Sequence, residues 1–385
     1  MKKTNAFPVI IVHGFLCWGQ DSKLNDFCPG FGMWNGNAKM AILEAGVPCQ
    51  CPSVGAFNGM WDRACILYAQ LTGTRVDYGK AHSERTGTER YGETFTKPLV
   101  PGWGERDADG NLMKVNLVGH SFGGPTIRTL INLLAEGSEE ERACTDPDDL
   151  SPLFAGGKAD WVHSCTTLAA THNGVTLPDA AGPLFKPFNG VFFFLAPILS
   201  GPFNKFYMMG LDQFGVSGKK HVSLNTGKVM KMINQKEGNI FEELTTEFGS
   251  YLTKDYKTYD NIYYFSYYGR RTNRKGKYEV PSKDIWLPLR IFSPFECLYK
   301  DATHGEEWQP NDGIVNVPAA MHPNNGEPFT DFASNEECKP GIWYVMPEEW
   351  KDHTSYMGVG ETKEDYNNFF LEITERVTDL PVINK

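Results

Sequence analysis

The sequence predicts an α/β fold, a mostly parallel sheet covered by helices on both faces, and three observations carry that expectation. Strand-length apolar runs alternate with segments of helical period. Several runs are continuously apolar rather than alternating, as strands buried on both faces are. One of them, residues 115–118, leads into Gly-His-Ser-Phe-Gly and then at once into a helix-compatible stretch.

The elements follow in order. Val9–Val12 is a β-branched run ending at His13-Gly14-Phe15, the pattern of a buried parallel strand. Residues 35–45 are helical in period and close at Gly46, and 60–71 form a second helix stopped by Thr72-Gly73-Thr74. Residues 73–112, rich in Gly, Thr and charge, read as a long excursion outside the core. Residues 115–118 form the central strand, with a helix over 122–136 behind it. The acidic stretch 138–141 is expected to face solvent. Val162–Leu168, 262–267, 314–317 and 342–345 are further strands. Between 175 and 210, Phe185, Phe188, Phe192, Phe193 and Phe194 crowd together, interrupted by Pro187, Gly190 and Pro197. Those breakers prevent one long helix, so the aromatics need another purpose. No internal repeat or low-complexity tract is present.

Bulk properties narrow the function. The 385 residues fit one α/β body with insertions at about 55–110 and 175–245. A net charge of −10 without a basic stripe argues against nucleic acid as a partner. Arg270, Arg271, Arg274, Lys275 and Lys277 form a short basic cluster, read as a solvated loop. Nine cysteines leave at least one thiol unpaired within the chain. Cys28, Cys49 and Cys51 lie close enough in sequence for a bridge in an oxidising compartment, while Cys49-x-Cys51 lacks the second pair of a cysteine zinc site. The Met1-Lys2-Lys3 start is followed by too short an apolar run for a signal peptide. No uninterrupted apolar segment of ~20 residues suggests a membrane span.

The chemistry centres on Ser121. Gly-x-Ser-x-Gly between a strand and a helix holds a serine on a strained elbow with its hydroxyl clear of the backbone. Glycines at 119 and 123 allow the close strand–helix approach this requires. A serine hydroxyl needs a base, and the base an orienting group. In the α/β-hydrolase arrangement these follow as Ser, Asp or Glu, then His. Asp312 sits in Asn-Asp-Gly before an apolar run, and His353 follows the last strand. His163, His172, His221, His304 and His322 compete for the base's role; His163 falls in a strand pattern, where packing is the default. Oxyanion donors are expected from the N–H groups of Phe122, next to the nucleophile, and Phe15, after the first strand. His120 is expected to be structural.

These residues lie within motifs that resemble the thermoalkalophilic true lipases of bacilli and staphylococci. The resemblance runs from Val9 to about Val359. It is carried by Val-His-Gly-Phe (12–15), Trp-Asp-Arg-Ala-Cys-x-x-Tyr-Ala-Gln-Leu (61–71), Val-Asp-Tyr-Gly-x-Ala-His (76–82), Gly-His-Ser-Phe-Gly-Gly (119–124), Leu-Asp-Gln-Phe-Gly (211–215), Asn-Asp-Gly-Ile-Val-Asn (311–316) and Asp-His (352–353). It implies an α/β-hydrolase fold, the triad Ser121, Asp312 and His353, the oxyanion hole of Phe15 and Phe122, and a helical lid where the aromatics of 175–210 lie. It also implies a lipid or other ester substrate met at a lipid–water interface, and secretion. The family's structural zinc is held by two Asp and two His. Asp62, His82 and Asp212 match three ligands, but Thr88 stands at the fourth, with Glu84, Glu89 or a water as substitutes. On residue chemistry alone, Asp62 also reads as a helix-start carboxylate. Calcium is not expected, because Ser355 and Gly360 replace the family's carboxylates. The expected activity is triacylglycerol lipase or carboxylesterase. The alternatives are a non-catalytic lipid-binding protein of the same fold, or a short-chain or polyester esterase.

Overall fold

The computed structural model describes residues 4–182, 206–207, 235–334 and 337–383. Within them the strands are β1 (Val9–Val12), β2 (Cys49–Gln50), β3 (Arg75–Asp77), β4 (Tyr91–Thr94), β5 (Val115–His120), β6 (Val162–Leu168), β7 (Tyr263–Tyr267), β8 (Thr272–Lys275), β9 (Tyr278–Pro281), β10 (Phe329–Asp331) and β11 (Trp343–Val345). Seven form one sheet in the order β10-β11-β7-β6-β5-β1-β2, and every pairing in it is parallel. β3–β4 and β8–β9 are separate antiparallel hairpins.

β1 shows why the sheet strands read as unbroken apolar runs. Ile10 and Val12 enter the core beneath α2 (Met60–Thr72) and α4 (Gly123–Glu136). Val9 and Ile11 enter the opposite core with α1 (Ala38–Glu44) and the C-terminal helix Lys363–Asp379. A strand covered on both sides has no solvent-facing positions to make polar. Local chemistry sets the helix ends. Asn37 accepts from Met40 N at 3.0 Å, Thr362 accepts from Asp365 N at 3.1 Å, and Gly73, at φ 68°, closes α2 in the left-handed region.

Several expectations are corrected. The stretch 73–112 is not wholly outside the core: it holds β3, α3 (Lys80–Thr86) and β4, and Val76, Tyr78, Val100 and Trp103 pack under α2. Residues 314–317 form no strand. The Asp312 carboxylate accepts from Ile314 N (3.2 Å) and Val315 N (2.9 Å), curling the chain into a turn, and a helix starts at Val317. Glu141, in the acidic stretch assigned to solvent, is buried, because its carboxylate accepts from Ala81 N and His82 N at the start of α3. The basic cluster is the β8–β9 hairpin rather than a loop. No disulfide joins the described cysteines. No helix among the described residues is long and apolar enough to cross a membrane. Phe185, Phe188, Phe192, Phe193, Phe194, Asp212 and His221 lie outside the described residues.

Candidate active site

The carboxyl ends of β1, β5 and β6 each pass into a non-glycine residue with left-handed backbone: Leu16 (φ 59°), Ser121 (φ 56°) and Ala169 (φ 46°). Such conformations cost free energy and persist only where the surroundings fix them. At Ser121 the fixing is visible. Its N–H donates to Leu168 O at 2.9 Å, and its carbonyl accepts from Gly124 N at 2.9 Å. The turn is tight enough that a β-carbon on Gly119 would stand 2.5 Å from Gly123 O. The sequence-predicted nucleophile therefore sits on an elbow between β5 and α4.

Gly14 faces it from the loop after β1. A β-carbon there would lie 2.6 Å from Ser121 Cβ and 3.0 Å from its Oγ, so only glycine fits. Beyond it, the Phe15 ring packs edge-on against Phe57 and Phe241 (centroids 5.6 and 5.3 Å). Among the described residues neither Phe15 N–H nor Phe122 N–H has a hydrogen-bond acceptor. Two such donors flanking a serine hydroxyl are suited to a developing oxyanion.

Asp312 and His353 are brought together in buried surroundings: His353 Nδ1 and Asp312 Oδ2 are 2.8 Å apart. A second tie runs from His353 N to Asp312 O at 3.0 Å. With the ring's Nδ1–H donated to the carboxylate, Nε2 is left as a free base. Asp352 builds the turn that carries the ring. Its Oδ1 accepts from Thr354 N (3.0 Å) and Ser355 N (3.1 Å), and its Oδ2 from Trp286 N (2.9 Å). His120 precedes Ser121 and lies against His353, ring centroids 4.7 Å apart, with its Nε2 3.1 Å from His353 O. Burial, reinforced by the neighbouring His353, holds the His120 pKa well below the ordinary imidazole value, so it is a neutral spacer. Among the described residues no hydrogen bond joins Ser121 Oγ to His353, a contact that commonly tightens only on substrate binding.

Arg63 was not singled out by sequence, yet it ties the site together. It is fully buried. Nη1 donates to Gly55 O at 2.6 Å, Nε to Thr126 Oγ1 at 2.9 Å, and Nη2 to His13 O. Its guanidinium lies 5.6 Å from the Phe122 ring centroid. One side chain thus braces the loop bearing Phe15 against the first turn of α4. Burial lowers its pKa to about 9. His13, beside it, has its pKa lowered to about 3 by burial and then by Arg63; its Nε2 accepts from Val54 N at 3.1 Å. The only sequence signal for Arg63 was a charged residue inside an otherwise apolar helical stretch. Of the competing histidines, His163 and His172 are buried in the core and His304 pairs with Asp301.

The expected metal ligands meet only in part. His82 Nε2 lies 2.9 Å from Asp62 Oδ1, and its Nδ1 lies 3.2 Å from Glu237 Oε1. Burial opposes charge on this ring, but the Asp62 and Glu237 carboxylates outweigh it and raise the pKa to about 9. Both ring nitrogens of His82 are thus engaged by carboxylates among the described residues. The Thr88 hydroxyl bonds Thr86 at 2.8 Å, and Glu84 and Glu89 are exposed. Asp62 Oδ2 is buried and has no partner among the described residues, a feature that favours a further cation. Among the described residues no group of three or more His, Cys, Asp and Glu is arranged to hold a metal. Of the expected ligands, the described residues bring together Asp62 and His82.

The family described as "Lipase-like, C-terminal domain" matches residues 5–380. Lipase 1 and lipase 2 of Staphylococcus aureus are each 33% identical, over 97% and 93% of this chain and 56% and 51% of their own lengths. The chain thus spans about half the length of the curated relatives it matches. Staphylococcus hyicus lipase superposes with a TM-score of 0.82 at 26% identity, covering 98% of this chain and 96% of that one. EstA from Clostridium botulinum gives 0.81 at 28% identity, covering 100% and 90%. Lipase 1 from Pelosinus fermentans gives 0.77 at 33%, covering 96% and 98%. The sheet order, the serine elbow and these similarities agree: the chain belongs to the family of lipase-like C-terminal domains, built on the α/β-hydrolase fold.

Proposed function

We propose that this protein hydrolyses carboxylic esters of lipids through an acyl-enzyme on Ser121. The observation that carries the reading is the buried 2.8 Å His353–Asp312 pair, set at the same sheet edge as a serine held at positive φ. His353 Nε2 takes the Ser121 proton as Oγ attacks the ester carbonyl, and Asp312 steadies the resulting imidazolium. The oxyanion forms against the N–H groups of Phe15 and Phe122. Collapse expels the alcohol with the proton from His353. A water then gives a proton to His353 as it attacks the acyl-enzyme, and His353 returns that proton to Ser121 Oγ as the carbon–Oγ bond breaks and the carboxylic acid leaves.

The supporting facts are residue chemistry, geometry and likeness to proteins named lipases. The chain reads as one hydrolase body with insertions at about 55–110 and 175–245. The aromatics of 175–210 make a lid over the acyl pocket, a reading that rests on composition and resemblance. Secretion rests on resemblance too. A zinc ion at Asp62 and His82 would have to displace their mutual hydrogen bond and find donors beyond the described residues, Asp212 first among them. Elemental analysis of the purified protein decides this: one zinc per chain supports the site, and none leaves the imidazolium pairing as the local tie.

Release of long-chain fatty acid from an emulsion, compared with Ser121→Ala, tests the main reading. A mutant as fast as its parent would sink it. Capture of Ser121 by a serine-directed phosphonate would remove the alternative of a non-catalytic lipid binder. A sharp preference for acetyl over octanoyl esters would assign the protein to the short-chain esterases.

A further inference from the structure

A basic part of this acidic chain lies beside a helix with exposed apolar side chains. Residues 270–300 carry eight Lys and Arg against three Asp and Glu, and two of those three, Glu279 and Glu296, are buried. The whole chain, by contrast, has a net charge of −10. The segment folds as the β8–β9 hairpin packed on the helix Leu289–Leu298. Glu306 joins the two, pairing with Arg274 of the hairpin and with Lys300 just past the helix.

The helix is amphipathic in an unexpected direction. Leu289, Ser293, Glu296 and Cys297 face inward, while Ile291 and Leu298 are 64% and 65% exposed, and Leu287, before the first turn, is 71% exposed. Arg270, Arg271 and Arg274 are satisfied by Glu279, Asp284 and Glu306. Lys275, Lys277 and Arg290 are exposed and form no ion pair among the described residues. Uncompensated cations beside projecting aliphatic side chains match one chemistry, an anionic amphiphile surface that takes apolar groups below its charged plane.

We propose that the hairpin and this helix form a docking face for anionic lipid bilayers. The face is continuous with the candidate site. Leu289 packs on Gly313, next to Asp312, where a β-carbon would come within 2.8 Å of Leu289 Cβ. Trp286 N is held by Asp352, next to His353. Docking there would bring the carboxyl edge of the sheet to the lipid. The inference concerns binding and stands whether or not Ser121 is a nucleophile.

The test uses the full chain carrying Ser121→Ala, so that vesicles stay intact. Co-sedimentation is measured with vesicles of phosphatidylcholine alone and of phosphatidylcholine mixed with phosphatidylglycerol. Binding should favour the anionic vesicles and weaken as salt is raised. With each basic residue near the surface contributing about a fivefold factor, Lys275→Gln with Lys277→Gln should weaken binding roughly thirtyfold. Ile291→Ser with Leu287→Ser should weaken it while leaving its salt dependence, and melting temperature confirms that both variants fold. Equal binding to neutral and anionic vesicles, or binding indifferent to Lys275 and Lys277, overturns the proposal. So does a dimer in solution that Ile291→Ser dissociates, which would give the apolar face to a second copy of the chain.

Discussion

Arg63→Met removes three donors from the interior while keeping a side chain of similar length. The carbonyls of His13 and Gly55 lose their partner, and Thr126 Oγ1 keeps only its own bond to Phe122 O at 2.8 Å. Each stranded buried carbonyl costs about 1–3 kcal/mol. Removing a guanidinium whose pKa burial has already lowered to about 9 returns part of that. A net destabilisation of about 2–4 kcal/mol remains, equivalent to a drop in Tm of several degrees for a chain this long. Activity should fall further than stability implies. With the brace gone, the His13–Phe15 loop and the turn at Phe122 are no longer held in register, and misplacing one oxyanion donor costs about a hundredfold in kcat. Arg63→Lys keeps the charge but not the fork, and should recover part of the rate. The assay is kcat and KM on a soluble nitrophenyl ester beside thermal unfolding. If Arg63→Met lowers Tm as expected but leaves kcat within about twofold, Arg63 is only a core residue.

Three further outcomes follow from the same geometry. Gly14→Ala should lower kcat by about a hundredfold or more, since its methyl would collide with Ser121 Cβ and Oγ; wild-type rates in a folded variant would dissociate the loop from the site. Asp312→Asn should cost up to about 10⁴-fold in kcat through loss of the ring's orientation, and a pH–rate profile of unchanged shape and height would remove Asp312 from the chemistry. Stability should fall on acidification below about pH 6.5, the unfolded imidazole value. His13 and His163 have pKa values lowered by burial to about 3 and 4, and His120 and His172 are also held low. Below 6.5 the unfolded chain binds these protons and the folded chain does not, so stability is fully present above that pH and is lost towards the folded values. Near pH 5 each of the first two rings accounts for about 2 kcal/mol. Glu243, whose pKa burial raises to about 8, opposes this trend by binding its proton first in the folded chain. Urea titrations at several pH values therefore compare the parent with His13→Gln and His163→Gln, and an unchanged pH slope in both variants would contradict the expectation.

What the sequence disclosed follows the physics of each element. Long strands buried on both faces, such as β6, announce themselves because every position is selected for burial. β2 and β10, two and three residues long, carry too few positions for any period to show. The C-terminal helix did carry a signal, since Tyr366, Phe370, Ile373 and Val377 recur at helical spacing and all are buried. Ser121, Asp312 and His353 were singled out because the hydrolase order constrains them, and the last two do meet, at 2.8 Å. The context expected for Asp312 was still wrong, because its own carboxylate folds the following residues away from extended backbone. Arg63, Asp352 and Glu141 were not identifiable as holding groups, since each ties in an atom distant in sequence: Thr126 Oγ1, Trp286 N and His82 N.

The choice between enzyme and inert binder turns on where the fold spends its strain. Leu16, Ser121 and Ala169 each hold a left-handed backbone that side-chain-bearing residues avoid, at about 1–3 kcal/mol apiece. A fourth such residue, Met33 (φ 42°), lies elsewhere. Ser121 and Ala169 directly follow β5 and β6, and Leu16 lies in the loop after β1, so these three share the edge where parallel sheets gather their functional groups. A surface that only binds lipid gains nothing from a serine at φ 56°, because a glycine would make the same turn without the penalty. Nor does it need a buried arginine tying two N–H-bearing loops together, or an imidazole whose Nδ1 is held by a buried carboxylate. A nucleophile needs all of these together: a hydroxyl lifted clear of its backbone, a base with a fixed tautomer, and donors set in place before charge develops.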